Sequence, residues 1–461
     1  MQNINAKKIA QIVYSSSNVV DADVNEVVTD SRKAGKNSLF IALKGQNFDG
    51  HDFVQEVLDK GCPLTVVEKL NPNASAVRQI VVADSVEAYG KIGAYNRSLF
   101  QGKVIGLTGS AGKTTTKEEI KFLLSKFADV YATQGNHNNH IGVPETLCNL
   151  SMSAQYAVIE MGMSAPHEIE KLTSYVQPDI AIVTNVYPMH LEFFENFKGI
   201  AEAKAEIFYG LKKNGTAIIN GDTNYADLLV ARADEQKANV VLFGSVNMPE
   251  VSPEGEGCRV KAEIGGKKID FLLSENGEHH VANALCALTL VDVLGLDVQK
   301  AAALLKDFSA LPGRGQKVKI SLPDKKGMFT LIDDSYSGQP EAMKIAVQQL
   351  GKMKPLSQGR KIAVLGKMAE IGSSSSLKHQ ELGAYVNQAD VDVVIGVCPE
   401  MKDMLSQLSS DKKQFYFENN DGLDEFLLNN LLQNNDILLI KGARYSSKLY
   451  QVAEKLLKYK I

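Results

Sequence analysis

The chain has 461 residues, 44% of them hydrophobic and 23% charged, with a formal net charge of −4 at pH 7. That length accommodates about three domains, each able to bury its own core. With a slightly acidic balance, nothing global points to nucleic acid or an anionic membrane, and a local phosphate site built from backbone N–H groups and a few cations remains open.

Cys62, Cys148, Cys258, Cys286 and Cys398 are widely separated, with neither CxxC nor metal spacing. Cys148 and Cys286 fall in apolar helical patterns, the usual setting of buried free thiols, and reduced thiols fit a cytoplasmic protein. No apolar run approaches the ~20 residues of a membrane span. The N-terminus leads into a short amphipathic helix and lacks the apolar stretch of a signal peptide.

In chain order, the first segment, 1–101, predicts a helix over 6–14, strands over 26–29 and 38–43, and a helix over 51–60. Strands over 64–68 and 79–82 and a helix over 86–100 complete a small α/β unit. The second segment, 102–313, opens with the apolar run Lys103-Val-Ile-Gly-Leu-Thr-Gly109. Further strand-length runs at 156–160, 180–184, 216–220 and 240–243 alternate with helical patterns, which implies a parallel sheet with right-handed crossovers. Alternation on both sides of Gly265-Gly266, over 258–273, predicts a β-hairpin. Helices follow at 280–294 and 298–308, and Leu311-Pro-Gly-Arg-Gly-Gln316 has linker composition. The third segment, 314–461, predicts strands at 329–332, 361–365, 391–397, 414–417 and 436–440 and a final helix at 445–459, a Rossmann-like alternation. The expected fold is α/β in three domains: a small N-terminal α/β domain, a central P-loop domain on a parallel sheet, and a C-terminal Rossmann-like domain.

The strongest chemical signal is Gly106-Leu-Thr-Gly109-Ser110-Ala111-Gly112-Lys113-Thr114-Thr115-Thr116-Lys117, placed between a strand and a helix. Glycines let backbone N–H groups turn toward phosphates, and the helix N-terminus adds partial positive charge. Lys113 would reach the β- and γ-phosphates and Thr114 would hold magnesium. The spacing is the short GxxGKT form. Glu160 ends a strand of the same segment and His190 follows another, where ligands of open α/β sheets bind. A strand-end glutamate and a lone histidine are commonly structural; sharing a domain with the loop favours function. Lys204 sits in a Glu/Lys-rich helical pattern, which by sequence physics alone favours a solvated face with i,i+4 pairs.

These residues, with Thr29-Asp-Ser-Arg32, Asp49-Gly-His-Asp-Phe53, Gly135-Asn-His-Asn-Asn139, Asn283-Ala-Leu, Pro312-Gly-Arg314, Asp333-Asp-Ser-Tyr336 and Lys441-Gly-Ala-Arg444, resemble the Mur ligases along essentially the whole chain. Among them the resemblance is to the dipeptide-adding branch. It implies a domain for the UDP-sugar peptide at 1–101, an ATP-binding ligase domain at 102–313 and an acceptor domain at 314–461 that closes over the nucleotide. It implies that ATP activates the carboxylate of UDP-N-acetylmuramoyl-tripeptide as an acyl phosphate, which D-alanyl-D-alanine then captures. Gly109 to Thr115 would hold ATP, with Asn283 on the adenine and Arg314, Asp334 and Tyr336 also on the nucleotide. Thr114 and Glu160 would serve one Mg²⁺ ion, and His190 with a carbamylated Lys204 a second. Ser31, Arg32 and Asp49 would contact the uridine diphosphate, and Asn138 and Asn139 the peptide carboxylate and γ-phosphate. The implied protein is a cytoplasmic monomer whose partners are these small molecules.

Three motifs depart from the family pattern: Ser337-Gly338-Gln339 for Asn-Ala-Asn, Lys367 for Asp, and Ala443 for Ser. All lie on the acceptor side. A single-amino-acid ligase of the same superfamily and a regulatory NTPase are the competing readings. The Asp-Asp-Ser-Tyr motif disfavours the first, and retention of every metal and phosphate position disfavours the second.

Overall fold

Strand-length apolar runs spaced by amphipathic helices build a separate sheet in each of the three segments. The computed structural model describes residues 1–460 except 46–47, 189–193, 195, 256, 310, 324–326 and 370, and the backbone alone at Ser373. The chain forms two compact units, one of Met1–Pro188 with Asn196–Lys306, the other holding Asp307–Ile461.

In the first segment β1 (Ile4–Asn5) pairs antiparallel with β2 (Asp23–Val24). Helix α1 (Ala6–Ile12) lies between them in sequence and is capped by the Asn5 side chain. Strands β3 (Glu26–Val28), β4 (Ser38–Ile41), β5 (Leu64–Val67) and β6 (Gln79–Val81) form a parallel sheet in that order. Every residue of β4 and β5 is buried, which is why these strands read as continuous apolar runs rather than alternating ones. Helix α2 (Val54–Asp59) covers one side, and α3 (Ser85–Leu99) the other, with Tyr89 and Ile92 in the core beside Ile9, Leu39 and Leu64.

The central sheet is wholly parallel, ordered β12-β11-β10-β7-β9-β8. Its strands are β7 (Lys103–Thr108), β8 (Val130–Ala132), β9 (Tyr156–Glu160), β10 (Ile180–Val183), β11 (Thr216–Asn220) and β12 (Asn239–Phe243). The chain builds outward from β7 through β8 and β9 on one side, then crosses to β10 on the other. The crevice beyond the carboxyl end of β7 is therefore a topological switch point. The intervening helices are α4 (Lys113–Leu124), α5 (Gly142–Cys148), α6 (Glu168–Val176), α7 (Phe197–Ala205) and α8 (Ala226–Glu235). An antiparallel meander, β13 (Glu250–Glu254), β14 (Gly257–Ile264) and β15 (Lys267–Leu273), turns at Gly265-Gly266 as expected. Helix α9 (Glu278–Val293), buried along most of its length, then packs on α4.

The first segment is tied to the central one through α3. Asn96 Nδ2 donates to Leu147 O at 2.7 Å. The buried Arg97 donates to Val176 O at 2.8 Å and Gln177 O at 2.9 Å, satisfying carbonyls at the C-terminal end of α6.

The second unit carries a mixed six-stranded sheet, β16-β17-β21-β18-β19-β20. Strand β16 (Gln316–Ser321) is antiparallel to β17 (Met328–Asp334); β18 (Lys361–Gly366), β19 (Val393–Val397), β20 (Lys413–Phe417) and β21 (Ile437–Lys441) extend it in parallel. The linker composition of 311–316 ends where β16 begins, as expected. One expectation is corrected here. The single final helix is broken at Lys448, whose φ of 54° separates Arg444–Ser447 from Tyr450–Leu456. Among the described residues no helix is long and apolar enough to cross a membrane.

Candidate active site

Strand β7 delivers the loop Gly109–Gly112 to the switch point, and α4 starts at Lys113. Gly112 is the N-cap residue with φ 76°, a left-handed conformation, and no side chain caps the helix. The first-turn N–H groups thus remain available for an anion, and glycine supplies the turn at little steric cost. The end of β10 braces the loop from the side. Ala111 N donates to Asn185 Oδ1 at 2.8 Å, while Thr184 Oγ1 and Asn185 Nδ2 both donate to Ala111 O at 3.0 Å. Ser110 Oγ accepts from Tyr187 N at 2.9 Å. Lys113 Nζ folds back onto Gly109 O at 2.6 Å, which places its charge over the loop.

Glu160, at the carboxyl end of β9, is only 1% exposed. Its Oε1 accepts from Thr114 Oγ1 at 3.1 Å and from Asn138 Nδ2 at 2.8 Å. Its Oε2 is buried without a hydrogen-bond partner and lies 3.8 Å from Lys117 Nζ. A buried carboxylate oxygen left in this state is costly unless something completes it. Magnesium prefers oxygen ligands, so Glu160 Oε2 and the Thr114 hydroxyl fit such an ion.

Lys204, near the end of α7, is buried at 2% exposure. Burial first, and then the neighbouring Lys113 charge, push its ammonium well below the ordinary lysine range, with Glu206 opposing. The solvated-face alternative for Lys204 is thereby excluded. Asn283 in α9 accepts from Thr116 Oγ1 at 3.1 Å, so α9 reaches the phosphate-loop helix. Asn139 Oδ1 caps the start of α5 through Ile141 N and Gly142 N. His190 lies outside the described residues.

The structure therefore gathers Gly109–Thr115, Asn138, Glu160 and Asn283 at one crevice, with Lys204 within electrostatic reach of Lys113. Ser31, Arg32 and Asp49 belong to the first sheet's loops. The Arg32 guanidinium makes two bonds to Asp30, at 2.8 and 2.7 Å, and its backbone N–H a third at 3.0 Å; these pull the Asp30 carboxyl down to about 2. Asp49 caps the turn Gly50–Phe53 and accepts from His51 Nδ1 at 2.6 Å. In the second unit Arg314 stacks 4.0 Å over the Tyr336 ring, and Asp334 accepts from Lys441 Nζ at 2.6 Å.

The departures from the family pattern cluster on the loops after β17, β18 and β21. Ala443 N donates to Lys367 O at 3.1 Å, and Lys367 Nζ pairs with Glu400. A Cβ at Gly338 would stand 2.2 Å from Ala443 N, so the glycine permits the approach of these two loops. Sequence reading gave no specific role to Lys117, Thr116 or Asn185. The signal for Thr116 and Lys117 was their place within the GKTTTK run; for Asn185 it was its position just past a strand end.

A loop of bare N–H groups at a switch point, with a lysine above it and an incompletely satisfied carboxylate beside it, defines an α/β phosphate-loop enzyme. Comparison with known proteins narrows the class. The Mur ligase middle domain matches residues 107–291, the Mur ligase glutamate ligase domain 313–444, and the Mur ligase family catalytic domain 23–96. The UDP-N-acetylmuramoyl-tripeptide–D-alanyl-D-alanine ligase of Rickettsia prowazekii is 34% identical over 428 residues, covering 91% of this chain and 92% of that one. A crystal structure of MurF from Acinetobacter baumannii superimposes with a TM-score of 0.88 at 29% identity, covering 99% of both chains. MurF from Thermotoga maritima, solved in complex with ADP, gives 0.80 at 29% identity, covering 95% of this chain and 98% of that one. The chain belongs to the Mur ligase family.

Proposed function

We propose that this chain is the ATP-dependent ligase that joins UDP-N-acetylmuramoyl-tripeptide to D-alanyl-D-alanine, forming the pentapeptide precursor of peptidoglycan. The observation that carries the reading is the convergence on Glu160. Thr114 from the phosphate loop and Asn138 from the neighbouring loop share Oε1, leaving Oε2 unspent. A relative bearing that name matches over 99% of this chain, so the likeness is not confined to the phosphate-loop segment.

The chemistry has two steps. The tripeptide carboxylate attacks the γ-phosphorus of ATP, the bond to the β-phosphate oxygen breaks, and an acyl phosphate and ADP result. The amine of D-alanyl-D-alanine attacks the acyl carbon, loses a proton, and the tetrahedral intermediate expels phosphate to leave the amide. The first step brings two anions together, so positive charge and oriented N–H groups must be in place beforehand. The N–H groups after Gly112 hold the phosphates, and Lys113 swings from Gly109 O to the γ-phosphate. Asn138 and Asn139 orient the attacking carboxylate, and Asn283 holds the adenine. Magnesium ions, one on Thr114 and Glu160 and a second on His190 and a carbamylated Lys204, would supply charge screening between ATP and carboxylate. Burial prepares Lys204 for that modification, because only the neutral amine attacks carbon dioxide, and the product is an oxygen ligand.

Residues 1–101 take the UDP-sugar peptide through Ser31, Arg32 and Asp49; residues 102–313 perform the phosphoryl transfer. Residues 314–461 bring the acceptor and contact the nucleotide through Arg314, Asp334 and Tyr336. The enzyme acts as a cytoplasmic monomer. ADP release by the purified chain is expected to require both UDP-N-acetylmuramoyl-tripeptide and D-alanyl-D-alanine. Equal turnover with a free amino acid in place of the dipeptide would sink this assignment.

A further inference from the structure

Lys117 has no part in the mechanism above, yet its side chain is entirely buried. A buried lysine is rare and needs partners for each of its donors. Its ammonium donates to Thr133 O and Gly135 O, both at 2.7 Å, pairs with Glu118 Oε1 at 3.0 Å, and stands 3.8 Å from Glu160 Oε2. Both carbonyls belong to the segment that leaves β8 and carries Asn138 and Asn139. That segment is fastened again on its far side: Thr133 Oγ1 accepts from Glu160 N at 3.0 Å, and Asn138 O accepts from Gly162 N at 2.8 Å. Lys117 is one helical turn beyond Lys113, on the helix whose N-terminus faces the phosphates.

We infer that Lys117 is a positioning residue that couples the phosphate-loop helix to the Thr133–Asn139 segment and to Glu160, so that nucleotide binding sets the groups that orient the attacking carboxylate. The inference rests on the ligase reading for the identity of that carboxylate. Physically, a single ammonium spans α4 and the 133–139 segment, and two hydrogen bonds to carbonyls fix its direction. A shift of α4 is passed directly to the backbone at Thr133 and Gly135, and it reaches Asn138 through Glu160, whose Oε1 holds the Asn138 amide at 2.8 Å. The same ammonium stands 3.8 Å from Glu160 Oε2, so it also touches the carboxylate that Thr114 and Asn138 share.

The test uses the full chain. In Lys117→Gln, ADP affinity measured by calorimetry stays within about threefold of wild type, because the phosphate-binding N–H groups are unchanged. KM for UDP-N-acetylmuramoyl-tripeptide rises at least about tenfold and kcat falls, with KM for ATP little moved. A variant that merely melts earlier, with an unchanged tripeptide KM, overturns the inference. Should the variant not fold, hydrogen exchange on the wild type decides: adding ADP with Mg²⁺ slows the amides of residues 135–139 at least about tenfold. Unchanged exchange in that segment overturns the coupling. That measurement involves no tripeptide, so it stands apart from the ligase reading, which fails instead if wild-type ADP release is independent of the tripeptide.

Discussion

The Thr116 hydroxyl donates to Asn283 Oδ1 at 3.1 Å, joining two helices whose contributing residues lie 167 positions apart. The bond uses the acceptor of the Asn283 amide, so its NH₂ group remains to donate, and the proposed function gives that donor to an adenine ring nitrogen. Asn283→Asp keeps the shape and the acceptor but loses that donor. Its KM for ATP is expected to rise by roughly tenfold to a hundredfold, the cost of one lost hydrogen bond with an unpaired partner. An unchanged KM would detach Asn283 from the base.

If Lys204 carries the proposed carbamate, Lys204→Ala is expected to lose activity by a factor of about a hundred, with partial recovery on adding a short carboxylate; full activity in the variant would remove the carbamate from the reading. Lys204→Met tests the burial argument separately. The buried lysine's pKa is depressed, so below 10.5 the unfolded chain binds a proton that the folded chain resists. Stability of the unmodified wild type therefore rises with pH toward 10.5. The methionine variant removes that slope, and thermal melts at several pH values would reveal it.

Glu119, on the face of α4 that packs against α9, is buried and its carboxyl is pushed up from 4.5 to about 8 by loss of solvent. Between those values the folded chain retains a proton that the unfolded chain releases. Stability is thus fully present below about pH 4.5 and declines as pH climbs to about 8. Glu119→Gln abolishes the decline. Its Tm is expected to exceed that of wild type by several degrees at pH 9 and to converge with it near pH 4. Parallel melting curves would contradict the buried protonated state.

Arg97→Met would leave Val176 O and Gln177 O without their donor where α3 meets α6. Removing one side of a buried charged contact costs about 3 kcal/mol. Tm falls by several degrees while kcat at low temperature stays within about twofold, since Arg97 lies outside the site. Loss of activity without loss of stability would show that α3 does more than brace.

Much of the architecture is legible without coordinates because it follows from local rules. Buried parallel strands such as Tyr156–Glu160 and Thr216–Asn220 appear as apolar runs with the observed bounds. Among the elements missed are several whose residues carry no such mark. Val130–Ala132 is three residues long, Glu250–Glu254 is exposed throughout and contains Pro253, and Gln316–Ser321 begins inside a glycine-rich stretch. Each is set by pairing to a neighbour, which no local pattern records.

The phosphate loop, its glycines and its place between strand and helix were determined by the sequence alone, because spacing and backbone freedom are properties of consecutive residues. What only the tertiary structure decided is the company the loop keeps. Glu160 shares one oxygen between Thr114 and Asn138, Lys117 reaches across to Thr133 and Gly135, and Lys204 loses its solvent. These depend on distances between segments far apart in the chain and on burial, and burial turns Lys204 from a surface cation into a buried amine whose charged form is disfavoured.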